Sequence, residues 1–364
     1  MSRFVGTLDR YLIGKYLSTF GFALLICTII SIAIDFSDKV QTFIDKPCTL
    51  RNIVVDYYAG WIVHMAGLLM PLYTLIAVVF FTSRLAFNAE ILSILNAGVS
   101  FSRLLRPYLI AGGAIALLHL TLNHFVIPRL NKSKLWFEHT FVWTDQDKGK
   151  TSNVHIMLSP NTKIYVRGYV KNSKVASGLR LQYMNGSEVR SILDAEIAVF
   201  KAEPDVWEIT NYSIRTFDNE REAFRRYTGP FDTAIGLRPE DFVFFQNQNQ
   251  EMTTPELREA QARELMRGQP SVKSYAIEEQ RRNADAFTNI ILTVIGLAIA
   301  GRKVRGGMGL HLAMAVGLGA LLILLQKFVI TFAASGTVPI VLGMWMPNLL
   351  FGALAIWLIG RAQK

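Results

Sequence analysis

Between Asp56 and Arg84 the chain reads YYAGWIVHMAGLLMPLYTLIAVVFFTS, 27 consecutive residues without a charged side chain. A helix needs roughly 20 apolar residues to cross about 30 Å of hydrocarbon, so this stretch is long enough to span a bilayer. On its N-terminal side, 19 uncharged residues separate Lys15 from Asp35; on its C-terminal side, 22 separate Arg106 from Arg129. After a long polar middle, 16 such residues lie between Asp285 and Arg302 and 21 between Arg305 and Lys327. The last run, 33 residues from Phe328 to Gly360, exceeds one straight span, and its Ala334-Ser-Gly-Thr-Val-Pro339 reads as a turn. The spacing predicts six spans, three on each side of the polar middle. Ser31-Ile32-Ala33 resembles a leader cleavage site, but the apolar run exceeds the about 7–15 residues of a signal core, so the first span is read as retained.

Composition agrees. The chain is 51% hydrophobic and 18% charged, against about 25% charged for soluble domains. That argues against disordered, collagen-like and disulfide-rich secreted classes. The two cysteines, Cys27 and Cys48, build no framework. A net charge of +10 raises the question of nucleic acid, which its location answers. With the N terminus inside, the short inner segments carry eleven basic residues against two acidic ones, Asp9 and Glu90, whereas the first outer loop carries three against four. Arg129 to Asp285 holds 23 basic and 22 acidic residues and is nearly neutral. The basic excess is the charge bias of inward-facing loops. Both termini are therefore expected inside, the large segment outside, and no nucleic-acid partner is expected.

In that outer segment the hydrophobic period changes. Lys163–Val170, Leu179–Tyr183, Asp194–Phe200 and Val206–Phe217 alternate apolar and polar, and Ala202-Glu-Pro-Asp205 is turn chemistry between the last two. The pattern predicts antiparallel strands in a sandwich or roll. From Thr253 the period is helical again, with Thr254-Pro255-Glu256 as a first turn. The 16-residue fourth span is short, which points to a helix continuous with the amphipathic stretch before it. The fold class is thus an α-helical membrane protein of six spans in a 3+3 arrangement with an inserted antiparallel β domain. Its expected divisions are spans one to three over 1–128, the β domain over 129–252, a helical connector over 253–284, and spans four to six over 285–364.

No catalytic constellation is found. Gly149-Lys150-Thr151 has the end of a phosphate-binding loop, but Thr144 stands where that motif places its first glycine. The histidines lack metal-ligand spacing, and no metal or cofactor of the chain's own is expected. The segment 86–98 instead stands out on the inner side. Phe87, Ile91, Ile94 and Leu95 recur at helical spacing, Glu90 lies among them, and Gly98 is a helix stop. An interfacial helix prefers a basic polar face, and Glu90 is acidic, so docking into a partner is the favoured reading. Lys327 is the one ionised residue deep in a span; a pathway role and snorkelling to the surface both fit it. Lys39, Lys46, Arg129, Lys132 and Lys134 lie at similar outer depth, as phosphate receivers or as solvated charges.

Several motifs, in order, resemble one family. They are Leu8-Asp-Arg-Tyr11, Asn88-Ala-Glu-Ile-Leu-Ser-Ile-Leu-Asn-Ala-Gly98, Arg281-Arg-Asn-Ala-Asp-Ala-Phe287, Gly301-Arg-Lys-Val-Arg-Gly-Gly-Met-Gly309 and Trp345-Met-Pro-Asn348. Together they are similar to the LptF/LptG permeases of bacterial lipopolysaccharide export, and Leu8-Asp-Arg-Tyr11 and 56–83 look more like LptG. The resemblance implies an inner-membrane subunit with a periplasmic β-jellyroll and cytoplasmic termini. It further implies pairing with a homologous permease around a cavity, two copies of a cytoplasmic LptB-like ATPase holding the ATP and Mg2+, and LptC/LptA-like jellyroll bridge proteins that receive the lipopolysaccharide. By the same resemblance, 86–98 is the helix that docks in the ATPase, with Glu90 at the family's acidic position, and spans one and five are lateral gates. Some relatives carry a basic residue where this chain reads Asp35-Phe-Ser-Asp38, so Lys39, Lys46 or Lys327 is left to meet lipid phosphates. Rival readings are another ABC-type permease, for lipoprotein extraction or FtsX-like, or a secondary transporter or membrane enzyme.

Overall fold

The computed structural model describes residues 6–142, 152–170, 173–186, 188–203, 205–218, 221–242, 248–266, 272–302 and 307–362. Six helical segments are long and apolar enough to cross a membrane: Thr7–Asp45, Asn52–Phe87, Phe101–Val142, Val272–Ala300, Gly307–Ser335 and Ile340–Arg361. The glycine-rich motif after the fourth span and the Gly149-Lys150-Thr151 triplet fall wholly or partly outside the described residues. Contacts divide the chain into a helical unit, Met1–Val142 with Gln250–Thr254 and Ala276–Lys364, and a second unit, Trp143–Asn249 with Pro255–Tyr275.

In the helical unit, α1 (Thr7–Asp45) is followed by a π-helical turn, Asn52–Tyr58, that leads into α2 (Ala59–Phe87). A short α3 (Glu90–Asn96) precedes α4 (Phe101–Thr121) and α5 (Ile127–Phe137), which a second π-helical turn, Leu122–Val126, joins into one rod. The third span was expected to end at 128, yet helix persists to Val142. Pro128 falls in the first turn of α5, where its missing N–H costs little, and the wide turn before it absorbs the ring. Arg129, Lys132 and Lys134 consequently lie on this helix, ahead of the sheet.

The core gathers Tyr16, Met70, Tyr73, Phe81, Leu104, Tyr108, Leu292, Ile295 and Leu322. Small residues bring the helices together as hydrocarbon packing requires. A Cβ on Gly112 would sit 2.6 Å from Thr293 Oγ1, and Tyr16 shares a 2.8 Å hydrogen bond with that same Thr293. By contrast α8 (Gly307–Ser335) and α9 (Ile340–Ala362) expose Leu321, Leu324, Phe328, Leu349 and Ile356. Such faces suit lipid or a second membrane subunit.

The second unit is a jellyroll-like antiparallel β domain: β1 (Ser152–Ser159), β2 (Thr162–Val170), β3 (Val175–Asn185), β4 (Glu188–Ala202), β5 (Val206–Asp218), β6 (Arg221–Tyr227) and β7 (Phe231–Ala234). Strands β1 to β6 pair in sequence order. β7 returns to the first part of β5, Val206–Ile209, while β6 takes its second part, Tyr212–Asp218. The four sequence-predicted strands lie within β2 to β5. Their alternation puts Ile164, Val166, Leu179, Leu181, Ala195, Trp207 and Ile209 into one apolar cluster, joined by Ile235, Leu237 and Phe242. Trp207 is fully buried and donates its Nε1–H to the Leu237 carbonyl at 2.8 Å. Of the helices after the sheet, α6 (Thr254–Met266) is short, whereas α7 (Val272–Ala300) runs without interruption past Asp285, as the short fourth span required.

Trp207→Ala is expected to cost about 3–5 kcal/mol, the range for large-to-small aromatic core substitutions. The measurement is thermal unfolding with limited proteolysis, in which residues 152–242 become labile while helical circular dichroism persists.

Candidate functional site

At the inner end the helix expected over 86–98 is in two parts. The break lies at Asn88-Ala89, where Ala89 takes a left-handed conformation with φ 58°. That geometry costs a non-glycine residue about 1 kcal/mol. Ala89 nevertheless accepts from Ser93 N–H at 2.9 Å and so starts α3. Gly98, at φ 86°, closes the helix by donating to the Leu95 carbonyl at 3.0 Å. The break reverses part of the docking expectation. Ile91 is 3% exposed, and Ile94 and Leu95 pack on the core of the same chain. Phe87 ends α2 and is 57% exposed, and on α3 and its end Leu92, 59% exposed, Ser93, Asn96 and Gly98 are exposed as well. A seven-residue helix lying against its own bundle buries the stripe that looks, in sequence, like a docking face.

Two side chains from the first turns of α1 grip this region. Tyr11 donates its hydroxyl to Glu90 Oε2 at 2.9 Å. Asp9, fully buried, accepts a two-pronged fork from Arg103 at 2.7 and 2.8 Å and a third bond from Gly6 N–H at 3.0 Å. Ser100 caps α4 by accepting from Arg103 N–H at 3.3 Å. Charge-assisted paired bonds of this kind fix direction as well as distance. The Leu8-Asp-Arg-Tyr11 motif thereby ties α1 to the start of α3 and the start of α4.

At the outer end of α1 the basic candidates divide. Lys39 sits 2.5 Å from Asp35 Oδ1, hydrogen-bonds the Tyr57 hydroxyl, and lies 3.9 Å from Glu138 Oε1. Tyr57 donates to Asp35 at 2.8 Å, and Lys134 lies 3.6 Å from Glu138. Tyr57 and Phe137 are fully buried beside Phe43 and Tyr58. Lys39 and Lys134 are thus committed to carboxylates of their own chain and do not form an open phosphate receiver. Lys46, Arg129, Lys132 and Lys327 are exposed, and Lys327 makes no ion pair among the described residues.

A family model described as "Lipopolysaccharide export system permease LptF/LptG" matches residues 10–361, nearly the whole chain. The chain belongs to the LptF/LptG family. A comparison with curated proteins found no match. Membership makes it a permease subunit of lipopolysaccharide export, a multi-pass inner-membrane protein and not itself a catalytic enzyme.

This LptF/LptG chain also buries a polar network around Arg281–Phe287, a motif to which the sequence assigned no contacts. On α7, Glu278 accepts from Arg281 at 2.8 Å and from Arg282 at 2.9 Å, and Asp285 accepts from Arg281 at 3.0 Å and from Gln326 of α8 at 3.1 Å. Arg282 reaches Thr254, whose hydroxyl meets His124 at 2.7 Å. One turn deeper, Asn289 contacts His119 of α4 at 2.9 Å and accepts from Thr74 of α2 at 2.8 Å. The available signal was spacing: opposite charges three and four apart on one helix satisfy each other. Among the described residues no group of His, Cys, Asp and Glu is placed to hold a metal.

Two measurements test these placements in the LptF/LptG chain. Asp35→Ala strips Lys39 of its nearest carboxylate and should cost up to about 3 kcal/mol, the lower end for breaking a buried pair, read as a lower unfolding temperature in detergent. Glu251, in the loop before α6, has its carboxyl pushed up to about 7 by burial, with Lys132 opposing that shift. A folded value above the unfolded one favours folding at low pH, and this contribution fades as pH rises through about 7. Glu251→Gln should therefore gain stability over the parent between about pH 5 and about pH 8; a pH-independent difference in unfolding temperature would contradict it.

Proposed function

We propose that this permease is the membrane half of an ATP-driven machine that lifts lipopolysaccharide from the outer leaflet of the inner membrane and passes it to periplasmic jellyroll bridge proteins of LptC/LptA type. Both termini and α3 face the cytoplasm, and the β domain faces the periplasm. The charge bias of the short loops supports that orientation. A homologous permease pairs with the exposed apolar faces of the helical unit, with α1 and α8 as the gates through which lipid enters. Two copies of an LptB-like ATPase supply the work and hold the ATP and Mg2+; this chain binds no cofactor.

The observation that carries the reading is α3, a short helix held by Tyr11 and by the packing of Ile91, which exposes Leu92 just after the exposed Phe87 at the end of α2. A lipid loses about 0.8 kcal/mol for each CH2 that leaves hydrocarbon, so extraction requires mechanical work from outside the lipid path. Phe87 and Leu92 form the apolar contact, and Glu90 and Gly98 set its geometry. Lys46, Arg129, Lys132 and Lys327 are the basic groups placed to meet lipid phosphates.

The test is co-purification with the ATPase. Replacing Phe87 and Leu92 together by Glu should reduce recovery of the ATPase at least about tenfold, in keeping with two apolar contacts of about 1.5–3 kcal/mol each. Glu90→Lys should remove transport-linked ATP turnover while the permease stays folded. Full recovery and full turnover in both variants would remove the docking assignment.

A further inference from the structure

α1 is held very unevenly. Its buried residues are Asp9, Leu12, Tyr16 and Phe20, all in its inner part. Beyond Phe20 one face exposes Phe22, Leu25, Ile29, Ile30 and Ile34 while Ala23, Leu24 and Cys27 keep a half-buried contact with the core, and at the outer end the Asp35–Lys39 group with Tyr57 and Glu138, together with Phe43 against Tyr57 and Phe137, secures it again. A continuous helix held most firmly near its two ends, with only one face of its middle in contact, behaves as a rod. Its bearing is Tyr16, which is fully buried, bonded to Thr293 of α7 at 2.8 Å and stacked on Phe81.

We propose that α1 is the lever of this permease and that Tyr11, Asp9 and Arg103 are its positioning residues, carrying motion of α3 to the outer end of the first span. The inference rests on the reading of α3 as the ATPase-docking helix. Tyr11 holds Glu90, and Asp9 holds Arg103, so displacement of α3 and of the start of α4 must displace the inner end of α1. At 1.5 Å per residue, Tyr11 lies about 7 Å from the bearing and Asp35 about 28 Å on its other side, so the outer end moves about four times as far. The Lys39, Asp35 and Glu138 group receives that motion. An ion cluster is suited to the task, because its bonds have a few discrete arrangements between which it can switch.

The experiment uses the complete complex with its ATPase, in nanodiscs containing lipopolysaccharide, with Cys27 and Cys48 replaced by Ser. Spin labels on Ile34→Cys and Val55→Cys report the distance from α1 to the π-helical turn before α2. In the parent, nucleotide with vanadate should shift that distance. In Tyr11→Phe, which removes one exposed hydroxyl, the shift should disappear, and lipid released per ATP consumed should fall about tenfold, the factor of one lost hydrogen bond to a charged group. Arg103→Lys, which keeps the charge and loses the fork, should do the same. Parent-like distances and release in both variants, or a parent distance that ignores nucleotide while release continues, would overturn the lever. Failure of the docking reading is distinguishable, since the ATPase would then remain on the complex when Phe87 and Leu92 are replaced.

Discussion

A charge removed from water must find its opposite within hydrogen-bond reach, and that requirement organises this permease. Among the described residues, three groups of buried charges in the helical unit are answered by opposite charges. Asp9 is met by Arg103, the pair Asp35 and Glu138 by Lys39 and Lys134, and Glu278 and Asp285 by Arg281 and Arg282. The first group ties the inner end of α1, the second its outer end, and the third ties α7 to Gln326 and Thr254. Between them lie close apolar packing and neutral hydrogen bonds such as Tyr16–Thr293 and Thr74–Asn289, and the charged groups add the directional contacts at the helix ends.

The architecture was legible because two physical signals are strong. Runs without charge identify all six spans, and period-two alternation identifies β2 to β5. Of the strands that escaped, β1 alternates only over Val154-His155-Ile156 before Met157 and Leu158 break the pattern, and the other two lack the signal altogether. Every residue of β6 is exposed, and β7 is four residues long, so neither alternates apolar and polar groups. The third span outran its expected limit because Pro128 and the charges after it look like an ending. A π-helical turn carries the chain past them, and no residue pattern announces such a turn.

The candidate site was legible in position and partly misread in direction. Helical spacing correctly groups Ile91, Ile94 and Leu95, but periodicity states only that a face is apolar, and their own bundle claims it. Likewise charge at the outer depth singles out Lys39 and Lys134, although Asp35 and Glu138 stand four residues from them at a spacing that lets them pair; only the contact of Lys39 with Glu138 needed the fold. Tyr11 and Asp9 were visible as a motif, whereas their partners Glu90 and Arg103 lie 79 and 94 positions away and emerge only when the chain folds.

The same separation shapes how the protein comes into being. α1 leaves the ribosome first, yet the groups that anchor its two ends, Arg103 and Glu138, follow it by about a hundred residues. At about 5–20 residues per second of synthesis, that is a delay of roughly 5–20 s. During that interval the first helix rests in the membrane with Asp9 and Lys39 lacking their later partners, and it can seat only after the third helix has been inserted.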